Sequence, residues 1–260
     1  IRHLVRSRGL GDVYKRQANM DTGLATAMMD SVPIVCITGQ VPRPAIGSDA
    51  FQEMDISGAV IPVTKHSYLV MDIKNLAQTV KEAFAIARSR RPGPVLIDNP
   101  KDVQAEECDF MYPNEPVKLP GENPLNKAID KKSLDDAADL IANAKRPFIL
   151  AGHGILLSGA SEEVIRLSEK ANIPLSWTLL GSGAVPASHD LNMGMMGMHG
   201  EFAANNAIQK ADLLIACGMR FDDRVTGNTK TYSLDSKKIH IEIDPSEINK
   251  NVPIDVALVG

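Results

Sequence analysis

Residues 33–53 read PIVCITGQVPRPAIGSDAFQE. The first five, Pro33 to Ile37, make a continuous apolar run of the kind buried on both faces of a parallel sheet. The remainder, Gly39 to Glu53, is too particular for an ordinary connection. Pro42 and Pro44 stiffen the turn, and Gly47 frees the backbone. Read locally, Ser48 or Asp49 caps a new helix and Phe51 enters its core. Upstream, Thr22 to Met29 is a short helix of small and apolar residues. Downstream, Leu76, Val80, Ala83, Phe84 and Ala87 fall on one face of a helix over Leu76 to Arg88. Pro92 stops that helix, and Pro94 to Asp98 is the next strand. Strand, helix, strand places the chain in the α/β class with a parallel sheet.

The rhythm breaks over residues 104–124, which hold Pro113, Pro116, Pro120 and Pro124 and no apolar period. This segment reads as an interdomain linker, between a domain over 18–103 and another over 125–260. In the second, Ser133 with Asp136 three residues on is a helix-start signature. Leu134, Ala137, Ala138 and Ile141 follow on one face. Strands are expected at Phe148–Ala151, Ile173–Trp177, Leu213–Cys217 and Ile239–Ile243, with a helix at Glu162–Ala171. Each strand runs into a loop rich in Gly, Asp or Thr. Ligands bind at such carboxyl ends in open α/β sheets, so this half reads as a doubly wound, Rossmann-like nucleotide-binding domain.

Composition narrows the function. Of 260 residues 44% are hydrophobic and 4% aromatic, which implies a sizeable, mainly aliphatic core. No apolar run approaches the roughly 18 residues of a membrane helix. The net charge of −4 divides into +4 over residues 1–17 and −8 over the remainder. No basic patch is left to neutralise a phosphate backbone, which argues against nucleic acid. Cys36, Cys108 and Cys217 are far apart and form no CxxC pair, as expected of reduced thiols in a cytosolic protein. Residues 1–17, IRHLVRSRGLGDVYKRQ, show no sustained period. Their arginines suit a targeting peptide, but RGLGDVYKRQ is better read as a translated adaptor or assembly artefact, outside fold and function.

Three further motifs have bland local readings beside functional ones. Gly152-His153-Gly154 after a strand either makes a tight turn or cradles a phosphate. Leu157 stands where a dinucleotide fingerprint needs its third glycine. In GMRFDDRVTG, Gly218 to Gly227, Arg220, Asp222, Asp223 and Arg224 either form a surface salt-bridge cluster worth little or bind carboxylate or phosphate. In GMMGMHG, Gly194 to Gly200, the glycines prevent a helix, so Met195, Met196, Met198 and His199 belong to a loop. Arg91 suits the C-terminal end of a helix dipole. Glu242 follows a strand where an acid can hold ribose hydroxyls.

Taken together, IGSDAFQE, TKH, GMMGMHG and RFDDRVTG resemble the catalytic subunit of acetolactate synthases, thiamine-diphosphate enzymes that also bind FAD. The resemblance runs from about Ala18 to Gly260. It implies the end of a thiamine pyrimidine-binding domain followed by most of a central FAD-binding domain, in a fragment inactive alone. The implied parent decarboxylates pyruvate and joins the product to pyruvate or 2-ketobutyrate in branched-chain amino acid biosynthesis. Phe51 and Gln52 would face thiamine diphosphate across a dimer interface, and Lys65 would line the channel to it. Arg224 would bind the second 2-keto acid, and Met198 would shape its pocket. Arg91, Gly152, His153, Gly154, Thr178, Leu179, Met196, Gly197, His199, Gly218, Met219, Arg220, Asp222, Val225, Glu242, Ile243 and Ile248 would line FAD. Pro42, Ala50, Lys65, Asp223 and Arg224 match positions where the family's herbicides bind.

The activating glutamate and the Gly-Asp-Gly…Asn segment that holds Mg²⁺ and diphosphate would lie outside the chain. A dimer or tetramer and a small regulatory subunit are implied for the parent, in the cytoplasm of a bacterium or an organelle of a eukaryote. Leu180 departs from the family's usual glutamine, and His153 from its usual small residue. Glyoxylate carboligase, another thiamine decarboxylase or oxidase, and a noncatalytic FAD-domain remnant are the competing readings.

Overall fold

The computed structural model describes residues 18–119 and 129–260. The chain divides into two compact units, Ile1–Glu122 and Asn123–Gly260. The expectation for residues 1–17 lies outside the described residues, as does that for the end of the linker.

In the first unit α1 (Met20–Met29) precedes β1 (Val35–Gln40), and a short α2 (Ile56–Ala59) leads into β2 (His66–Leu69). Helix α3 (Ile73–Arg88) then returns to β3 (Val95–Pro100). The three strands are parallel in the order β1-β3-β2. The apolar run at Pro33 underestimates β1 at its far end, because Thr38 to Gln40 continue the ladder opposite Asp98 to Pro100. Burial on both faces belongs only to the central strand β3, all six of whose residues are buried. On the edge strand β1, Ile37 is 54% exposed.

Asp72 starts α3 by accepting a hydrogen bond from the Lys74 N–H, which satisfies one of the otherwise unpaired first-turn donors. Ala83 and Ala87 pack into the core with Val95 and Ile97, flanked by Leu76 and Val80. Phe84 does not share that burial and is 42% exposed. One residue past Ala83 it is rotated about 100° around the helix. After β3 a 3₁₀ turn forms at Val103–Ala105, and the chain from there to Leu119 has neither helix nor strand.

The second unit opens with α4 (Lys131–Asn143), β4 (Pro147–Ala151), α5 (His153–Ser158), α6 (Ser161–Ala171) and β5 (Leu175–Trp177). It continues with β6 (Asn192–Met195), α7 (Phe202–Lys210), β7 (Leu213–Cys217), α8 (Asp223–Thr226), β8 (Lys237–Glu242) and β9 (Val256–Val259). All pairings are parallel, in the order β6-β5-β4-β7-β8-β9. The chain winds outward from β4 in one direction and outward from β7 in the other. This is the doubly wound, Rossmann-like arrangement, with its switch point between β4 and β7.

Alternation along the central strands sorts their side chains to the two faces. Ile149, Ala151 and Ile215 pack with Ala137 of α4 and Val164 of α6. Phe148, Leu150, Leu214 and Ala216 pack with Ile208 of α7. The start of α4 differs from expectation: Asp130 is the cap, and Ser133 gives it both its N–H and its hydroxyl. The apolar face of α4 also turns, with Leu140 and Ile141 against the core and Leu134 exposed. Gly194 and Met195 end strand β6, so only the last part of GMMGMHG is loop.

Ile215→Ala should lower stability to urea by about 2–5 kcal/mol, because the side chain is buried in the central strand. Leu234→Ala, at an exposed site, should change it by less than about 0.5 kcal/mol. Equal denaturation midpoints for the two variants would contradict this assignment of the core.

Candidate functional site

The carboxyl ends of β4 and β7 meet at the switch point of the second unit. The Gly152 N–H donates to the Cys217 carbonyl at 2.9 Å, and the Gly154 N–H to the Gly218 carbonyl at 2.8 Å. Gly218 has φ 58°. A Cβ on Gly154 would lie 2.6 Å from Gly218 Cα, and one on Gly152 would lie 2.2 Å from the Gly218 oxygen. The glycines are therefore required by backbone packed on backbone, which is the tight-turn reading of Gly-His-Gly. The result is a floor of main chain at the switch point, with His153 as the first residue of α5. Beside it the Thr178 N–H donates to the Ala151 carbonyl at 2.9 Å. Its hydroxyl accepts from Gly181 N–H at 3.1 Å, and Leu179 is exposed.

The loop after β6 is fastened from two sides. Asn205 exchanges both amide hydrogen bonds with Gly197, each 2.9 Å. The Met198 N–H donates to the Arg224 carbonyl at 2.7 Å. Met196 is buried, whereas Met198 and His199 are exposed. In the FDDRV segment Asp222 caps α8, accepting from the N–H groups of Arg224 at 3.1 Å and Val225 at 3.2 Å. Arg220 approaches the same carboxylate at 3.5 Å. Arg224 is 4.0 Å from Asp223, with its side chain 70% exposed, and its Nη1 lies 3.6 Å from Met198 Sδ. A salt-bridge cluster thus accounts for Arg220 and Asp222 and poorly for Arg224.

His240 is a residue that the motifs did not single out. It is buried on β8, and its Nε2 lies 2.8 Å from the Met219 carbonyl. A carbonyl can only accept, so Nε2 carries the proton. Burial pushes the imidazole below its ordinary value despite that bond. Phe221 packs edge-on against it, centroids 5.2 Å apart. The sequence signal was a polar residue at an inward position of a strand, IHIEI. Glu242 accepts from Ile243 N–H at 2.9 Å and Asp244 N–H at 3.2 Å. Ile248 ends the next 3₁₀ turn. The loops after β4, β5, β6, β7 and β8 therefore bring the expected residues of this unit to one edge of its sheet.

The first unit holds Phe51, Gln52, Lys65 and Arg91. No helix starts at Ser48 or Asp49. The next helix begins at Ile56, capped by Asp55, and Phe51 is 87% exposed rather than in the core. The Lys65 ammonium donates to the Ile86 and Ser89 carbonyls and the Ser89 hydroxyl, closing the C-terminal end of α3. Burial, with Arg90 nearby, nevertheless lowers it to about 8. Arg91 donates to the Ser31 hydroxyl at 2.9 Å and the Met29 carbonyl at 3.4 Å. Its charge therefore complements the end of α1. Cys36 and Cys217 are buried, Cys108 is exposed, and all three are unpaired.

Residues 134–260 match the central domain of thiamine pyrophosphate enzymes, and this part of the chain is similar to that family. More particularly, the chain is 49% identical over 244 residues to the probable acetolactate synthase large subunit of Methanocaldococcus jannaschii, covering 93% of this chain and 41% of that one. It is 50% identical to the acetolactate synthase of Mycobacterium leprae, covering 93% and 38%. Against the acetolactate synthase large subunit of Corynebacterium glutamicum the identity is 47%, covering 93% and 38%. The chain spans about two fifths of the length of the curated relatives it matches. Among the described residues no helix is long and apolar enough to cross a membrane.

Gly152→Ala should cost about 1–3 kcal/mol, because its methyl meets fixed backbone; an unchanged melting temperature would refute this packing. Lys65 carries a second expectation. Its folded value of about 8 is below the ordinary 10.5, so the unfolded chain binds more protons between those limits. Stability should rise with pH across that window, and Lys65→Met should flatten the rise in a series of urea melts.

Proposed function

We propose that this chain is a section of an acetolactate synthase catalytic subunit, comprising the end of the pyrimidine-binding domain and most of the central FAD-binding domain. The whole protein decarboxylates pyruvate and joins the product to pyruvate or 2-ketobutyrate, leading toward valine, leucine and isoleucine. Relatives carrying that name match along both units, over 93% of the chain. The observation that carries the substrate reading is the Arg224 guanidinium, exposed at the carboxyl edge of the sheet and set against Met198. A guanidinium in that position suits the planar carboxylate of a 2-keto acid, and the thioether beside it offers an adaptable apolar wall.

The residues present fit FAD. The main-chain floor at Gly152, Gly154 and Gly218 lies at the switch point, where nucleotides bind in this fold. Arg220 stands beside it for phosphate, partly held by Asp222. His240 fixes the Met219 carbonyl and so the course of the adjoining loop. Thiamine diphosphate would supply the electron sink for decarboxylation, with its Mg²⁺ held by residues of the whole protein outside this section. From this chain Phe51 would offer an apolar face to it and Gln52 a polar one. Arg224 would bind and orient the second keto acid. The protein would act as a homodimer or tetramer, with a small regulatory subunit, in a reducing compartment such as the bacterial cytoplasm. The unpaired cysteines accord with that.

Arg224→Ala in the full-length protein should raise the KM for the second keto acid about 10- to 100-fold, the worth of a charge-assisted hydrogen bond. Release of CO₂ from the first pyruvate should change far less. Equal loss of both steps would sink the assignment and leave Arg224 as a support for the fold.

A further inference from the structure

Glu53 closes the turn that begins at Gly47, and neither the fold nor the proposed chemistry has yet given it a task. Its carboxylate accepts from the Gly47 N–H and, at 2.9 Å, from the Ala50 N–H. Its own N–H returns to the Ala50 carbonyl at 2.9 Å. The segment is thus closed around an anion supplied by its own end and held by two main-chain N–H groups. Those donors hold the carboxyl below its ordinary range.

The loop needs such a clamp. Gly47, Asp49 and Gln52 have φ of 79°, 56° and 68°. Two of the three carry side chains in the left-handed region, each at a cost of order 1–2 kcal/mol. Phe51 gives little in return, since it is 87% exposed. Without Glu53 neither apolar burial nor a regular ladder would oppose relaxation of the turn.

We propose that Glu53 is a positioning residue, whose carboxylate fixes the turn from Gly47 in one shape and so holds Phe51 outward and Gln52 beside it. What those two side chains meet rests on the function proposed above; the clamp itself does not. The test is amide hydrogen exchange by mass spectrometry on the native chain, Glu53→Ala and Glu53→Gln, with chymotrypsin cleavage after Phe51 as a second probe. Glu53→Ala should speed exchange at residues 47–50 about tenfold or more and hasten cleavage. Exchange in β1 and β3 and the melting temperature should stay as in the native chain. Glu53→Gln keeps one carbonyl oxygen in place and should fall between the two. Native exchange at 47–50 in Glu53→Ala would overturn the proposal. So would faster exchange that spreads equally through β1 and β3, since Glu53 would then support the whole unit. The readout needs no cofactor or turnover, so its failure is separate from failure of the catalytic reading.

Discussion

Gly154 and Gly218 touch main chain to main chain where β4 and β7 lie side by side, and the second unit is arranged around that contact. Parallel pairing of these two largely buried strands brings their carboxyl ends level. The two chains then have to leave the sheet in the same place. Side chains would force them apart, since even a methyl on either glycine would overlap backbone. With hydrogen only, the Gly154 N–H reaches the Gly218 carbonyl at 2.8 Å. The strand order then reverses on either side of this floor of backbone.

Around that floor the polar side chains mostly serve the backbone. Asp222 starts α8, Asn205 holds Gly197, and Glu242 gathers the N–H groups that follow its own strand. His240 reaches from inside β8 to the Met219 carbonyl. A neutral imidazole suffices for this, and burial favours that form. Such rigid support leaves Arg224 and Met198 to point outward, the geometry expected of groups that meet a ligand and not of groups that build a core. In the first unit the same division holds. Lys65 and Arg91 each spend their charge on carbonyls at a helix end, whereas Phe51 is left in solvent.

Much of the fold was legible because it follows from periodicity. Leu213–Cys217 reads as a strand and is one, since five apolar residues between Asp212 and Gly218 admit little else. Helices α3 and α6 show a repeating apolar face, and the break after Val103 shows as scattered prolines. Misreadings came where local pattern and packing part company. Ser133 looks like a cap, but Asp130 stands three residues earlier with a better carboxylate. Ser48 and Asp49 look like caps, but Glu53 takes the Ala50 N–H, which a helix starting there would have left to its cap. Strands β2, β6 and β9 are four residues each, too short for any period to declare them.

The sequence by itself determined the class of fold, the two α/β stretches and the residue types able to bind carboxylate or phosphate. These depend on side-chain chemistry and on spacing along the chain. Tertiary structure alone decided which strand lies at the centre of each sheet, which glycines are needed for packing, and which charges are already engaged. Sheet order joins residues far apart in sequence, such as Gly154 and Gly218. A charge is available for chemistry only where the folded backbone has left it without a nearer carbonyl or N–H.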